Sequence, residues 1–207
     1  IDFCGKPLLA WSIEQALNSG YIKRVFVSSD DGEILNVAKV FGAEGIKRPK
    51  KLATDTSSSE EALKHSTNYL ENLYKRKIDI IVFLQATSPL RTSKDIDEAI
   101  KLFVSQKADS LFSAATLEDF CIWSYENNRL TSLTYDYKKR GARQQKTPLY
   151  LENGSIYIFR PEILKKYNNR LGGKILMYLM DYWKSYEIDK KEDLEICEYY
   201  MKKKILG

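Results

Sequence analysis

The chain has 207 residues, 43% of them hydrophobic and 29% charged, enough to bury a core in one domain, with no apolar run long enough to span a bilayer and no visible secretory leader. A formal charge of +5 favours anionic partners, among which nucleic acid, nucleotide and acidic sugar all qualify. Cys4, Cys121 and Cys197 lie far apart without a CxxC pair and read as reduced thiols of a cytosolic protein, while a single histidine, His65, excludes His-built metal cages and serine-protease-like triads.

Pro7 suits a first helical turn, and Leu8, Leu9, Ile13, Ala16 and Leu17 follow at helical spacing up to Gly20, the expected C-cap. Residues 25–29 read as a short strand leading to Asp30 and Asp31. Asp31 can cap a helix whose apolar face is Ile34, Leu35, Val37, Ala38 and Phe41 and which Gly42 closes. Residues 45–55 read as a connection carrying Arg48 and Pro49. Serines 57–59 followed by Glu60 and Glu61, then Leu63, Tyr69, Leu70 and Leu73, predict another helix start.

The central stretch is 80–91, IIVFLQATSPLR. Its five apolar residues predict a strand buried on both faces. The strand ends abruptly at Gln85, Thr87, Ser88 and Pro89, with Arg91 beyond. Thr92 and Asp95 have capping-box spacing ahead of Ile96, Ala99, Ile100 and Phe103. Ligands of open α/β sheets sit beyond the carboxyl ends of the strands, so loop 85–91 is expected to line a site.

Residues 109–115 predict another strand, and the repeated alternation of strand and helix predicts an α/β fold with a mainly parallel sheet. Residues 117–151 break that pattern. They carry Trp123, Tyr125, Tyr135, Tyr137 and Tyr150, and within them 137–151 holds five cations and no acid. Glu152, Asn153 and Gly154 read as a turn in which Gly154 can take positive φ, before a strand over 155–159 and a helix from Pro161. Residues 176–184 show no register, and a terminal amphipathic helix uses Leu194, Ile196, Cys197, Tyr200 and Met201.

Glu187 and Asp189 are two apart, so on an extended segment both carboxylates face one spot. Two hard oxygen ligands suit Mg²⁺; taken alone, an acid pair ahead of a helix is more often an N-cap and dipole partner than a metal site. In the basic run 138–146, Arg143 can grip a carboxylate or phosphate through two parallel hydrogen bonds while Gln144 reads hydroxyls. Arg48 is open to a ligand contact or a structural ion pair. Neither GxGxxG nor GxxxxGK[ST] occurs.

Taken in order, these segments resemble the cytidylyltransferases that activate sialic acid and related nine-carbon keto-acid sugars, the CMP-N-acylneuraminate synthetase family. The resemblance rests on Gly5-Lys6-Pro7-Leu8, Val27-Ser28-Ser29-Asp30 and Arg48-Pro49 with 52–55. It continues through 84–91, Arg143-Gln144, Asn153-Gly154-Ser155-Ile156-Tyr157 and Ser185-Tyr186-Glu187-Ile188-Asp189, and so covers essentially the whole chain.

The resemblance implies a three-layer Rossmann-like nucleotidyltransferase fold and a reaction in which CTP and a sugar acid give a CMP-sugar and pyrophosphate. It implies Arg48 and Ser59 at the nucleotide, Gln85 and Arg143 at the reacting sugar acid with Gln144 and Tyr157 beside them, and Mg²⁺ on Glu187 and Asp189. The irregular excursion would form a homodimer interface, and no nucleic-acid or membrane partner is expected. The family's nucleotide loop has no counterpart in these residues and belongs just before Ile1, so a truncated N-terminus is expected. Glu187 stands where relatives often carry aspartate, and a lysine that some place on the sugar carboxylate is missing near Ile122 and Trp123; legionaminic or pseudaminic acid is as plausible a sugar as sialic acid. Two other readings are a nucleotide- or RNA-binding module built on 138–146 with Trp123, Tyr135 and Tyr137, and a catalytically inactive dimeric relative.

Overall fold

The computed structural model describes residues 1–54, 56–117, 120–139 and 148–207. A short antiparallel turn, β1 (Asp2–Phe3) with β2 (Lys6–Pro7), delivers the chain to α1 (Leu8–Leu17). That helix stops before Gly20: Asn18 is its C-cap, and the Gly20 amide donates to Asp97. After β3 (Phe26–Ser29), Asp31 caps α2 (Gly32–Val40) by accepting the Glu33 amide at 2.7 Å, and Gly42 closes the helix at φ +90°. The stretch expected as a plain connection begins with a strand, β4 (Glu44–Lys47), parallel to β3. Only Ile46 of its four residues is buried, so no apolar run marks it.

The capping box predicted at Thr92 forms, and the helix start predicted at the serines is a capping box as well. Ser58 and Glu61 start α3 (Ser59–Tyr74), and Thr92 and Asp95 start α4 (Ser93–Ser105), after β5 (Ile81–Leu84). β6 (Ser110–Leu117) is followed by an exposed hairpin of β7 (Trp123–Glu126) and β8 (Arg129–Ser132). Asn127 and Asn128 turn it at φ 51° and 60°, as a two-residue hairpin loop requires. β9 (Leu149–Phe159) starts well before the strand expected over 155–159, and the turn expected at 152–154 lies inside it. Next come α5 (Pro161–Tyr167), β10 (Ile175–Met180), a 3₁₀ turn (Tyr182–Ser185) and α6 (Lys191–Tyr200).

The architecture is α/β, as expected, but the sheet is mixed rather than mainly parallel. Its order is β10-β6-β9-β5, with β10 parallel to β6 and β9 antiparallel to both neighbours, while β3 and β4 pair separately. The reason lies in the connection. A parallel return needs a long crossover, usually a helix, whereas β6 reaches β9 by way of the β7–β8 hairpin. β5 lies at an edge of the four-stranded sheet and is half-buried, not enclosed on both faces.

Helices cover both faces. Ile96, Ala99, Ile100 and Phe103 of α4 pack on Leu111, Ile156, Ile158 and Met180. Tyr157 and Phe159, alternating with those β9 residues, pack on the other side with Leu63 of α3, Phe83 and Leu164 of α5. A third cluster joins Phe3, Trp11, Leu90, Ile188, Cys197 and Met201, which brings α6 against the end of loop 85–91. Among the described residues no helix is long and apolar enough to cross a membrane.

The segment before α6 is pinned to α4 by charge. Lys184 Nζ lies 2.7 Å from Asp95 Oδ1 and Oδ2, and the two side chains are only 12% and 8% exposed. Removing one partner of such a pair strands the other in a low-dielectric setting. Lys184→Met is therefore expected to lower stability by roughly 3 kcal/mol, read from the midpoint of urea unfolding; a change below about 1 kcal/mol would show that the pair is no better than a surface one.

Candidate active site

Loop 85–91 belongs to no regular element, so its carbonyls need partners other than a helix or strand ladder. Some come from within the loop, from Ser88 and Arg91, and the others from α1 and the segment before α6. Gln85 O accepts from Ser88 N at 3.3 Å and from the Arg91 guanidinium at 3.0 Å. Thr87 O accepts from Ile188 N at 2.8 Å, Ser88 O from Arg91, and Pro89 O from Gln15 Nε2 of α1 at 2.8 Å. The bond from Ile188 fixes the acidic segment to the loop, because Ile188 lies between Glu187 and Asp189.

β9 supplies the third wall. The β6–β9 register shifts between Phe112 and Ala114, and at this irregularity Ser113 Oγ donates to Asn153 Oδ1 at 2.6 Å and accepts from Ile156 N at 2.8 Å. Such bulges re-aim a strand. Here Gly154 takes φ +63°, and a Cβ placed on it would collide with Glu187 Oε1 and lie 2.6 Å from Gln85 Oε1. The positive φ expected of Gly154 is present, and the carboxamide of Gln85 and the carboxylate of Glu187 close over the same glycine.

Burial raises the pKa of the Glu187 carboxyl above the usual range, neighbouring Asp189 adds to the effect, and the Ser88 hydroxyl opposes it. Ser88 Oγ is fully enclosed and close enough to act on that carboxyl, although its placement falls short of a well-formed hydrogen bond. The helix-cap alternative for the acid pair fails on geometry. Asp193 caps α6, its Oδ2 accepting from Asp189 N at 3.0 Å and Lys190 N at 2.8 Å. Among the described residues neither Glu187 nor Asp189 forms an ion pair. Two repelling carboxylates with no cationic partner among the described residues are a donor set that fits a divalent cation, although those residues contain no cluster of three acidic, His or Cys ligands.

The other predicted positions divide into three groups. Tyr157 packs its ring on Phe83 and donates its hydroxyl to Glu152 Oε1 at 2.5 Å; burial and that bond hold its pKa well above the tyrosine range. Ser59 is linked to it by Arg170, which the sequence reading missed. The Arg170 guanidinium sits 4.6 Å from the centre of the Tyr157 ring, pairs with Glu60 at 2.9 Å and donates to Ser59 Oγ. Burial pushes the Glu60 carboxyl up, but Arg170 outweighs it and holds the group below its ordinary range. Arg48 stands apart, at the carboxyl end of β4: it reaches Ser28 O at 3.4 Å, forms no ion pair among the described residues, and its buried Nε has no partner. Arg143 and Gln144 lie outside the described residues, as do 140–147 as a whole. Trp123 packs edge-on against Tyr135 and tilted against Tyr137, so those rings are engaged with one another.

The cytidylyltransferase family profile matches residues 1–206. The chain belongs to that family. It is 35% identical over 162 residues to a pseudaminic acid cytidylyltransferase of Campylobacter jejuni, covering 76% of this chain and 68% of that one. It is 30% identical over 210 residues to an N-acylneuraminate cytidylyltransferase of Escherichia coli, covering 96% of this chain and 47% of the relative. In fold it matches a CMP:2-keto-3-deoxy-manno-octonic acid synthetase solved with CTP, at TM-score 0.69 and 18% identity over 98% of this chain and 90% of that one.

Within this cytidylyltransferase, Gly154 is the tightest constraint on the site. Gly154→Ala adds a strained positive φ and a collision with the ends of the Gln85 and Glu187 side chains. A loss of roughly 1–2 kcal/mol in unfolding free energy is expected, together with loss of turnover beyond what the folded fraction explains. A variant with wild-type turnover would show that Gln85 and Glu187 have room to move apart.

Proposed function

We propose that this cytidylyltransferase transfers CMP from CTP to the hydroxyl of a nine-carbon keto-acid sugar of the sialic acid type, releasing pyrophosphate. The observation that carries the reading is the meeting of Gln85 and Glu187 over Gly154, with Asp189 beside them and free of helix capping. The names of the relatives support the class of sugar. In this reading the sugar hydroxyl attacks the α-phosphorus and the bond to the bridging oxygen of pyrophosphate breaks, with both substrates anionic throughout.

The chain's own residues then divide the work. Glu187 and Asp189 would hold Mg²⁺, which when bound offsets charge on the phosphates and the departing pyrophosphate. Arg48, with an unpaired guanidinium edge at a strand end, and Ser59 at the start of α3 face the nucleotide. Gln85, Arg143, Gln144 and Tyr157 take the sugar acid, where a planar guanidinium can grip a carboxylate through two bonds. The β7–β8 hairpin exposes Tyr125, Leu130 and, just beyond it, Leu133, and would pair with the same hairpin of a second copy in a homodimer. Cys4, Cys121 and Cys197 are free thiols, which suits a cytosolic enzyme.

The test is pyrophosphate release by the full-length protein from CTP, Mg²⁺ and a panel of sialic, legionaminic and pseudaminic acids; no release with any of them would overturn the assignment. Asp189→Asn is expected to abolish turnover while leaving the fold intact, and normal turnover would remove the metal assignment. Arg143→Ala is expected to raise KM for the sugar acid on the order of tenfold or more; an effect confined to CTP would move Arg143 to the nucleotide half.

Glu187→Gln separates function from stability. Because the folded state raises the pKa of this carboxyl, its ionised form is disfavoured there at neutral pH, and the penalty fades as pH falls through the raised pKa. The amide is therefore expected to be inactive yet to melt at a higher temperature than wild type in metal-free buffer at pH 7, with the gap closing in acid. A lower melting temperature at pH 7 would mean that Glu187 is structurally paired.

A further inference from the structure

Arg91 heads the fully buried side chains by size, with no measurable exposure. Among the described residues no carboxylate lies within ion-pair distance of it, and its Nε has no hydrogen-bond partner. The acid that acts on it from farther off, Asp95, is already paired with Lys184. Burial pulls its pKa down to about 9, still leaving it a cation at neutral pH. A buried, unpaired charge is costly, and packing alone would be served better by an apolar side chain. Helix capping does not account for it either, since Thr92 and Asp95 cap α4 without it.

What the guanidinium does is specific. One terminal nitrogen donates to Ser88 O and, at 3.4 Å, to Ser155 Oγ; the other donates to Ser12 Oγ and, at 3.0 Å, to Gln85 O. The fork therefore grips loop 85–91 at two carbonyls three residues apart. It also ties the loop to α1 through Ser12 and to β9 through Ser155, the residue after Gly154. We infer that Arg91 is a positioning residue for the sugar-acid side of the site, setting the Gln85 carboxamide against Gly154 and Glu187 by holding the Gln85 and Ser88 carbonyls in one planar grip. The assignment of that side to a sugar acid rests on the function proposed above. A lysine carries the charge on a single nitrogen and cannot present the planar two-nitrogen fork that meets these carbonyls separately.

The experiment is a double-mutant cycle in the full-length protein with Arg91→Lys, Gln85→Ala and the pair. Arg91→Lys is expected to raise KM for the sugar acid about tenfold, to leave KM for CTP within about twofold, and to add no further rise in the Gln85→Ala background. Independent, multiplying effects, or a fall in kcat with both KM values unchanged, would overturn the inference, because lost folded protein behaves in that way. A second readout does not depend on the substrate: the side-chain amide resonance of Gln85, identified by its disappearance in Gln85→Ala, is expected to shift in Arg91→Lys, and an unmoved resonance also overturns the inference. If Gln85→Ala leaves KM for the sugar acid unchanged while the resonance shifts, the sugar-acid reading falls and the positioning role stands. Should Arg91→Lys fail to fold, Ser12→Ala removes one anchor of the guanidinium while keeping its charge, and the same KM and resonance measurements decide.

Discussion

Position 154 holds a positive φ, and a Cβ there would displace the ends of the Gln85 and Glu187 side chains; the site is built around that constraint. A strand arriving from one direction, a loop leaving β5 and the segment before α6 approach one another where a single Cβ would meet oxygen atoms from two of them. Such closeness survives only if each backbone is held from behind. β9 is held by the irregularity at Ser113 and by Asn153, which accepts from Ser113 and donates to Met180 Sδ at 3.5 Å. The loop is held by Arg91, Gln15 and Ile188, and the last segment by Lys184 on Asp95. The glycine provides the space, and these bonds keep that space from collapsing or opening.

Magnitudes separate these contacts from the rest of the polar network. A surface pair such as Arg24 with Glu44 is exposed on both sides and contributes about 0–1 kcal/mol. The buried groups near loop 85–91 matter more because no water screens them. Arg91 without a carboxylate and Glu187 beside Asp189 are both arrangements that folding alone does not favour. Stability alone does not account for their presence on the same loop and its nearest neighbour.

Much of this was legible in the residues. The capping boxes at Ser58 and Thr92, the Asp31 cap, the apolar faces of α1 and α4 and the φ of Gly154 all follow from local chemistry, which depends on a few adjacent residues. β4 was not legible, because an edge strand with one buried side chain has no period. The direction of β9 was not either, since it depends on how β6 is connected to it rather than on its own residues. In the site, Gln85 and the acid pair stood out through spacing at strand ends. Arg170 did not: it lies in an unpatterned stretch between α5 and β10, and its importance comes from Ser59, Glu60 and Tyr157, more than a hundred residues away in the first two cases. Arg91 was visible as a residue, but its full burial was not, because arginine is almost never fully buried.

The charges left unsatisfied by the fold have a common logic. Glu187 and Asp189 repel each other, and among the described residues the buried Arg48 Nε has no partner and Arg91 has no acid within ion-pair distance. Each imbalance lies at or just behind the carboxyl end of a strand, or on the segment bonded to such an end. In the function proposed above, a divalent cation would cancel the first and a nucleotide the second, while the third would support the loop proposed to meet the sugar acid. Such a site is electrostatically incomplete until its ligands arrive, and that incompleteness is useful: groups already neutralised by the protein would have to be stripped of partners before binding anything. The fold thus holds its donors and acceptors in place in advance and leaves the compensating charge to be supplied by the molecules it joins.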